Sequence, residues 1–392
     1  MKYDFTTVRD RRGQGSQKWR KMLQRVPDVP KEVVPLSVAD MEFVPPPELV
    51  RGLQVCAAEM VYGYPEATPA YYNAVCSWMK RRHRMDVTPD WIVESPGVVP
   101  ALYQMVRAFT KPGDGVAILT PGYHPFFDAV LKQGRRTEES PLRQVGNTYE
   151  IDFDDLEVRL AKPETTLMIL CNPHNPVGRV WTREELEHIC EMCLLYDVFL
   201  ISDEIHLDLI LPGYHGTSVG AMEERYVRNC AICTAPSKTF NIAGLQVSNL
   251  LIADGSRRAA VESGKGYFSL NMFAYQACRL AYNECEPWLD ELLCVLDRNR
   301  QMIDSFFKQR HPNIRMAQLQ GTYLAWLDCR ALGMTNAQLE AFFSEKAYWF
   351  ISPGEEFGEG GSGFVRVNIA CPEHVLRAAL ERLDQCLVEI GS

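Results

Sequence analysis

A lysine stands between two apolar runs of the sequence, residues 229–233 and residues 247–253. Its neighbours are small or polar, in the order Ala-Pro-Ser-Lys-Thr-Phe-Asn. An amine at the end of a buried strand can reach into a cleft and form a Schiff base there with a carbonyl cofactor. Lys238 is therefore the first candidate for a catalytic residue. The competing interpretation is a lysine in a surface loop.

Two further apolar runs end in polar residues that could serve the same site. Residues 167–171 lead into the turn that contains Asn175, and residues 198–202 lead directly into Asp203. Uninterrupted apolar runs bounded by turn residues are typical of parallel strands that are covered on both faces. Ligands bind beyond the carboxyl ends of such strands. We therefore expect Asn175, Asp203 and Lys238 to meet at one edge of one sheet.

The order of these motifs resembles a known family. An Asn-Pro-x-Gly segment at 175–178, followed by Asp203 and by Ser-Lys at 237–238, resembles the fold-type I pyridoxal-phosphate enzymes of the class I/II aminotransferase superfamily. Four segments look like the cystathionine β-lyase, or C–S lyase, branch, namely residues 38–43, 202–206, 235–245 and 364–368. The resemblance runs from Tyr3 to the last predicted helix, residues 373–390.

The resemblance implies an α/β fold with two domains. A large cofactor-binding domain, residues 56–285, would hold a mostly parallel seven-stranded sheet sandwiched by helices. A smaller α+β domain would combine the N-terminal arm, residues 1–55, with the C-terminal segment, residues 286–392. In that segment a long helix is predicted at residues 286–310, and strands are predicted at residues 314–319, 323–327, 349–351 and 364–369.

The same resemblance implies a site for pyridoxal 5′-phosphate. The implied cofactor ligands are Gly97, Val98, Val99, Tyr123, Asn175, Asp203, His206, Ser237 and Lys238, together with Tyr64 of a neighbouring subunit. The main chain of residues 97–99 would hold the phosphate at the start of a helix, where free N–H groups attract anions. Tyr123 would stack on the pyridine ring, and Asn175 would bond the phenolic oxygen.

The residues around Asp203 by themselves also indicate that it binds the cofactor. A carboxylate at the mouth of an apolar strand is costly unless a cation meets it, and a protonated pyridine nitrogen would supply that cation. Glu204 is the competing carboxylate, but the alternation of a strand points the two side chains in opposite directions. His206 either reaches the phenolic oxygen or is a packed histidine, and Asp40 is either a turn carboxylate or a site residue.

Arg366 is the candidate for binding the substrate. An arginine inside an apolar strand needs an anionic partner, and a bidentate contact to the α-carboxylate of an amino acid suits its guanidinium group. The alternative is an internal ion pair. Residues 358–363 match the G-x-G-x-x-G dinucleotide motif, but a strand follows them where that motif requires a helix. Gln246 stands where many aminotransferases carry an arginine, and this difference favours the lyase branch.

Composition excludes several classes of protein. The chain has 392 residues and a net charge of −9, whereas a nucleic-acid partner would require a basic face. We expect no membrane span and no secretory signal, because no apolar run is long enough and the start of the chain is polar. The 13 cysteines are scattered in apolar contexts and are interpreted as free thiols in a reducing cytoplasm. No metal site is expected.

The function that the resemblance implies is α,β-elimination. Cystathionine or a cysteine S-conjugate would yield a thiol, pyruvate and ammonia, with a homodimer sharing each active site through Tyr64. The first alternative is a class I/II aminotransferase acting on an amino acid and a 2-oxo acid. The second is a non-catalytic regulatory protein that retains the fold.

Overall fold

The computed structural model describes residues 1–266 and 269–391. The strands are β1 (Ile92–Ser95), β2 (Gly115–Thr120), β3 (Arg136–Pro141), β4 (Arg143–Val145), β5 (Thr148–Glu150), β6 (Thr165–Cys171), β7 (Phe199–Asp203), β8 (Cys230–Thr234), β9 (Ser248–Ile252), β10 (Arg315–Met316), β11 (Leu324–Asp328), β12 (Ser352–Pro353) and β13 (Phe364–Asn368). The α-helices are α1 (Gln17–Arg25), α2 (Pro47–Glu59), α3 (Pro69–His83), α4 (Val98–Phe109), α5 (His124–Leu131), α6 (Phe153–Leu160), α7 (Arg183–Leu195), α8 (Glu224–Arg228), α9 (Pro236–Thr239), α10 (Gly255–Ser263), α11 (Met272–Glu284), α12 (Glu286–Arg310), α13 (Asn336–Ala341) and α14 (Glu373–Glu389).

Seven strands form one large sheet in the order β1-β9-β8-β7-β6-β2-β3. The five strands from β8 to β3 are parallel to one another, and β9 is antiparallel to both of its neighbours. Because β8, β7 and β6 are adjacent and parallel, their carboxyl ends lie at the same edge of the sheet. Asp203 is the last residue of β7, and Asn175 and Lys238 follow the ends of β6 and β8 within four residues.

Helices cover both faces of this sheet. Along β6, Met168 and Leu170 pack into one hydrophobic core, while Leu167 and Ile169 pack into a second core on the opposite face. The first core also contains residues of α3, α7 and α11, and the second contains residues of α4, α5 and α10. The predicted α/β fold, with a mostly parallel seven-stranded sheet between helices, is confirmed.

A second, antiparallel sheet lies in the C-terminal part of the chain, in the order β10-β11-β13-β12. The N-terminal arm is joined to it through Asn368, whose Nδ2 donates to the carbonyl oxygens of Val38 at 2.8 Å and Asp40 at 2.7 Å. The predicted long helix is present as α12. No helix in the described ranges has the length and apolarity needed to cross a bilayer.

One strand prediction for this C-terminal part is wrong, and a second is right only in part. Residues 349–351 do not form a strand, and the adjacent strand is β12. Trp349 is buried there, and its Nε1 donates to the carbonyl oxygen of Ala379 at 2.7 Å. Of residues 314–319, only the two of β10 are paired. In both places apolar residues fill a core without joining a ladder, and a short apolar run does not distinguish the two cases.

Candidate active site

A cavity of about 180 Å³ lies at the carboxyl ends of β6, β7 and β8. Its lining includes nine of the predicted residues, namely Gly97, Val98, Val99, Tyr123, Asn175, Asp203, His206, Ser237 and Lys238. Arg366 does not line this cavity but contacts a residue that does, and Tyr64 lies elsewhere. Residues from six separate stretches of sequence therefore meet in one place.

Lys238 lies in α9, the single helical turn that follows β8. Its Nζ donates to the carbonyl oxygen of Ala39 at 2.7 Å. Burial lowers the pKa of the Lys238 amine to about 8, although the nearby Asp40 acts to raise it. An amine with such a pKa is unprotonated in an appreciable fraction of molecules near neutral pH, and can act as a nucleophile or base.

Asp203 is the last residue of β7, and only 3% of its surface is exposed. Its Oδ1 accepts a hydrogen bond from the main-chain N–H of Ile205 at 3.2 Å. Within the described residues it forms no ion pair, and burial raises the pKa of its carboxyl group to about 7. A cation placed in the cavity would therefore gain a strong electrostatic partner.

Glu204, the competing carboxylate, points away from the cavity. It accepts hydrogen bonds from the hydroxyl groups of Ser202 and Ser218 and from the main-chain N–H of Val219. The alternation along β7 thus separates two neighbouring carboxylates, as the sequence predicted. Glu204 has its hydrogen-bond partners within the protein, whereas Asp203 faces the cavity.

Arg366, on β13, is buried beside the cavity. Its Nη1 donates to Oδ1 of Asn175 at 2.9 Å, its Nη2 donates to the hydroxyl of Ser352 at 3.2 Å, and the guanidinium lies 4.7 Å from the ring centre of Phe357. No carboxylate pairs with it in the part of the chain that the structure describes, so the internal ion pair considered as an alternative is not formed there. Burial lowers its pKa to about 10, so the guanidinium is still charged at neutral pH and can bind an anion.

Comparison with known proteins decides the family. The model for the family "Aminotransferase class I and II" matches residues 31–383, about nine-tenths of the chain. The chain belongs to the aminotransferase class I and II family. This assignment agrees with the resemblance that the motifs around Asn175, Asp203 and Lys238 indicated.

Within the aminotransferase class I and II family, several similar proteins are lyases by name. Cystathionine beta-lyase PatB of Bacillus subtilis is 40% identical over 98% of this chain and all of its own. Cystalysin of Treponema denticola, whose crystal structure contains a pyridoxal 5′-phosphate cofactor, is 44% identical over the whole of both chains, with a TM-score of 0.98. A pyridoxal-phosphate-bound C–S lyase of Staphylococcus hominis is 31% identical over 99% of each chain, with a TM-score of 0.90.

Two rings and a helix end complete the cavity of this family member. Tyr123 immediately precedes α5 and packs edge-on against Phe126, with ring centres 5.5 Å apart. His206 packs edge-on against Tyr323, and burial lowers its pKa well below the usual value, so its ring is neutral. Gly97 is the residue before α4, whose first turn brings to the cavity main-chain N–H groups that have no acceptor among the described residues.

The sequence did not reveal the part that the N-terminal arm plays. The carbonyl oxygen of Ala39 accepts from Lys238 and also from the hydroxyl of Tyr323, at 3.0 Å. Beside it, Asp40 is paired with Arg11 and with Lys18, both at 3.0 Å. A main-chain carbonyl leaves no signature in a single sequence, and pairs so distant in the chain cannot be inferred from it. The sequence left Asp40 open as a turn carboxylate or a site residue and gave no signal for these ion pairs.

Proposed function

We propose that this chain is a pyridoxal-phosphate-dependent C–S β-lyase that cleaves cystathionine or cysteine S-conjugates to a thiol, pyruvate and ammonia. The 40% identity to the cystathionine beta-lyase PatB carries the choice of reaction, and one feature of the site supports the cofactor and an amino-acid substrate. Asp203 carries a buried carboxyl group and Arg366 a buried guanidinium group, and neither forms an ion pair within the described residues. A cofactor with a protonated ring nitrogen would pair with Asp203, and a substrate with a carboxylate would pair with Arg366.

The residues present fit pyridoxal 5′-phosphate. Nδ1 of His206 is buried and has no hydrogen-bond partner within the described residues, so it can bond a polar atom of a ligand. Asp203 would face the pyridine nitrogen. Asn175 and His206 would face the phenolic oxygen, and Tyr123 would lie against the ring. The start of α4 and Ser237 would hold the phosphate. When bound, the cofactor supplies an electron sink for the pair released at Cα of the substrate.

Each residue then has a defined task. Arg366 binds the α-carboxylate of the amino acid and fixes its orientation. Nζ of Lys238, with its lowered pKa, takes the proton from Cα. The carbonyl oxygen of Ala39 holds that amine in place by accepting its hydrogen bond. Once the Cα proton is removed, the thiol leaves from the β-carbon, and hydrolysis of the remaining three-carbon unit gives pyruvate and ammonia.

The reaction type is tested by product analysis. With cystathionine or S-alkyl cysteines and no added 2-oxo acid, we expect pyruvate and thiol in equal amounts, measured by a dehydrogenase-coupled assay and by thiol titration. Amino transfer that requires a 2-oxo acid, with no pyruvate from these substrates, would instead make the chain an aminotransferase. Failure of both reactions in cofactor-loaded protein would favour a non-catalytic role for the fold.

Replacing Arg366 by alanine is expected to weaken substrate binding. Because the guanidinium would make a paired contact to the α-carboxylate, KM should rise about 100-fold, while kcat changes less. The control is an exposed arginine, Arg377→Ala, in α14. Arg366→Ala, unlike the control, should also lose its preference for amino acids over the matching amines without a carboxylate. An unchanged KM for Arg366→Ala would remove this role.

We also propose that the chain acts as a homodimer. Tyr64 is 96% exposed, and Val61 and Tyr62 beside it are exposed as well. Exposed apolar residues in one short segment are typical of a surface that binds another protein. A second copy of the chain would bury this segment and bring Tyr64 to the phosphate in its partner's cavity.

Subunit mixing tests the shared site. Lys238→Ala and Tyr64→Ala homodimers should each be impaired, because one lacks the amine and the other a phosphate contact. After exchange of subunits, each mixed dimer would have one site with both residues intact, so activity should recover to about a quarter of the wild-type value. Activity equal to the mean of the two parents, or a monomer in analytical ultracentrifugation, would contradict the proposal.

We also propose a domain division and a cellular location for the chain. The division into residues 1–55 with 286–392, and residues 56–285, is supported by the separate C-terminal sheet and by the contacts of the arm with it. A cytoplasmic location is supported by the thirteen cysteines, all of which have free thiols, as expected in a reducing compartment.

A further inference from the structure

A buried hydrogen-bond cluster adjoins the lysine without lining the cavity. At its centre, the carboxylate of Asp208 lies 2.7 Å from Nε2 of His83 and accepts from Nε1 of Trp78 at 3.1 Å. The hydroxyl of Thr239 donates to its other oxygen, Oδ2, at 2.7 Å. Thr239 is fully buried and immediately follows Lys238 in the chain.

The cluster joins the loop after β7 to the turn that carries the lysine. Asp208 lies five residues beyond Asp203, in the 3-10 turn Leu207–Leu209. Thr239 is the last residue of α9, which has only four residues. A helix this short has little stability of its own, so its orientation must come from tertiary contacts. A hydrogen bond to an ionised, buried acceptor is a strong one.

Asp208 is ionised in this setting. Burial would raise its pKa, but His83, the bond from Thr239 and the charge of Arg82 together hold it below the usual value. Arg82 pairs with Glu286 and Asp290 of α12, so its charge is kept near the cluster. The carboxylate is thus a fixed acceptor for Thr239.

We propose that Asp208 and Thr239 are positioning residues for Lys238, holding α9 so that the amine meets the cofactor carbonyl and the Cα proton. Neither touches the cavity, so their effect passes through the main chain of Lys238. The inference rests on the covalent role proposed for Lys238. A displacement of about 1 Å at a reacting group can cost about 100-fold in rate, so a single hydroxyl can have a large effect here.

The test compares Thr239→Val with Thr239→Ser. Valine matches the shape of threonine but removes the donor, and it leaves Asp208 with His83 and Trp78 as partners, while serine keeps the hydroxyl. The matched control is Thr165→Val, which removes a buried hydroxyl that has no hydrogen-bond partner within the described residues. The readouts are the rate at which cofactor-free protein forms a borohydride-reducible adduct with pyridoxal phosphate, kcat and KM after full loading, and Tm.

In Thr239→Val we expect adduct formation and kcat to fall about tenfold or more, with KM within about twofold, and Tm to be lower than in Thr165→Val because a strong buried hydrogen bond is lost. Thr239→Ser should restore both rates. Wild-type rates in Thr239→Val, or equal losses in the valine and serine variants, would overturn the proposal. If Thr239→Val does not fold, Asp208→Asn tests the acceptor by removing its negative charge while keeping its size, and failure of both variants to fold would also overturn the proposal. A wild-type protein without an adduct at Lys238 would contradict the proposed function instead.

Discussion

Replacing Lys238 by alanine is expected to abolish pyruvate release from cystathionine and the visible absorption of the cofactor-bound protein. The substitution removes the amine proposed to bond the cofactor and to take the Cα proton, so kcat should fall by about 10³-fold or more. Because the side chain makes one hydrogen bond to the described part of the chain, to Ala39, the fold should be retained. The measurements are a pyruvate assay and an absorbance spectrum.

The control for this variant is Lys308→Ala, a surface lysine paired with Asp304 on α12. It should keep both the spectrum and the activity. A Lys238→Ala protein that still forms a borohydride-reducible adduct would show that another amine bonds the cofactor. The buried Lys18 is already held in ion pairs with Asp40 and Glu42, so we do not expect it to substitute.

Asp203→Asn should have the second-largest effect. Asparagine keeps the size of the side chain but cannot supply the negative charge that we propose keeps the pyridine nitrogen protonated. The cofactor would then be a weaker electron sink, and kcat should fall by roughly 10³-fold. Glu204→Gln is the matched control, since this neighbour is buried but faces Ser218 and Val219. Equal losses in the two variants would contradict the assignment.

The same substitution should change the pH dependence of stability in the cofactor-free protein. The folded-state pKa of Asp203, about 7, lies above the ordinary value of 3.8. Between these values the folded protein binds more protons than the unfolded chain, so stability falls as pH rises from about 4 to about 7. At about 1.4 kcal/mol for each pKa unit, the loss is at most about 4 kcal/mol.

Urea denaturation at pH 5 and pH 8 measures this effect. Relative to wild type, cofactor-free Asp203→Asn should gain in free energy of unfolding at pH 8 and gain less at pH 5. Because the bound cofactor would pair with the carboxylate, the difference should shrink or reverse in loaded protein. Parallel pH profiles for the two cofactor-free proteins would contradict the buried, unpaired state of Asp203.

Local patterns predicted the part of the fold that bears the candidate site. The apolar runs before Asn172 and Asp203 are strands covered on both faces, and their adjacency puts their polar ends at one edge. The residues Thr182 to Glu185 form a capping box at the start of α7, a local signal that can be read in the sequence. Where the hydrophobic periodicity and the capping or turn residues agree, a single sequence predicts the type of the element and the residue at which it ends.

Contacts between distant parts of the chain could not be predicted in this way. The bond from Lys238 to Ala39 spans 199 residues, and that from Trp78 to Asp208 spans 130. Neither pair has a local pattern, because the contact exists only after the sheet and the arm have packed. The error at residues 349–351 has a related cause. Trp349 is buried there against α14, and in the sequence such a short apolar run looks the same as a strand.

The most direct test of the account is to locate the bond between protein and cofactor. Purified protein is loaded with pyridoxal phosphate, reduced with borohydride, digested and examined by tandem mass spectrometry. The account predicts one modified peptide, containing Ser237 and Thr239, with the pyridoxyl group on Lys238. Modification of any other lysine, or unmodified Lys238 in protein that cleaves cystathionine, would contradict it.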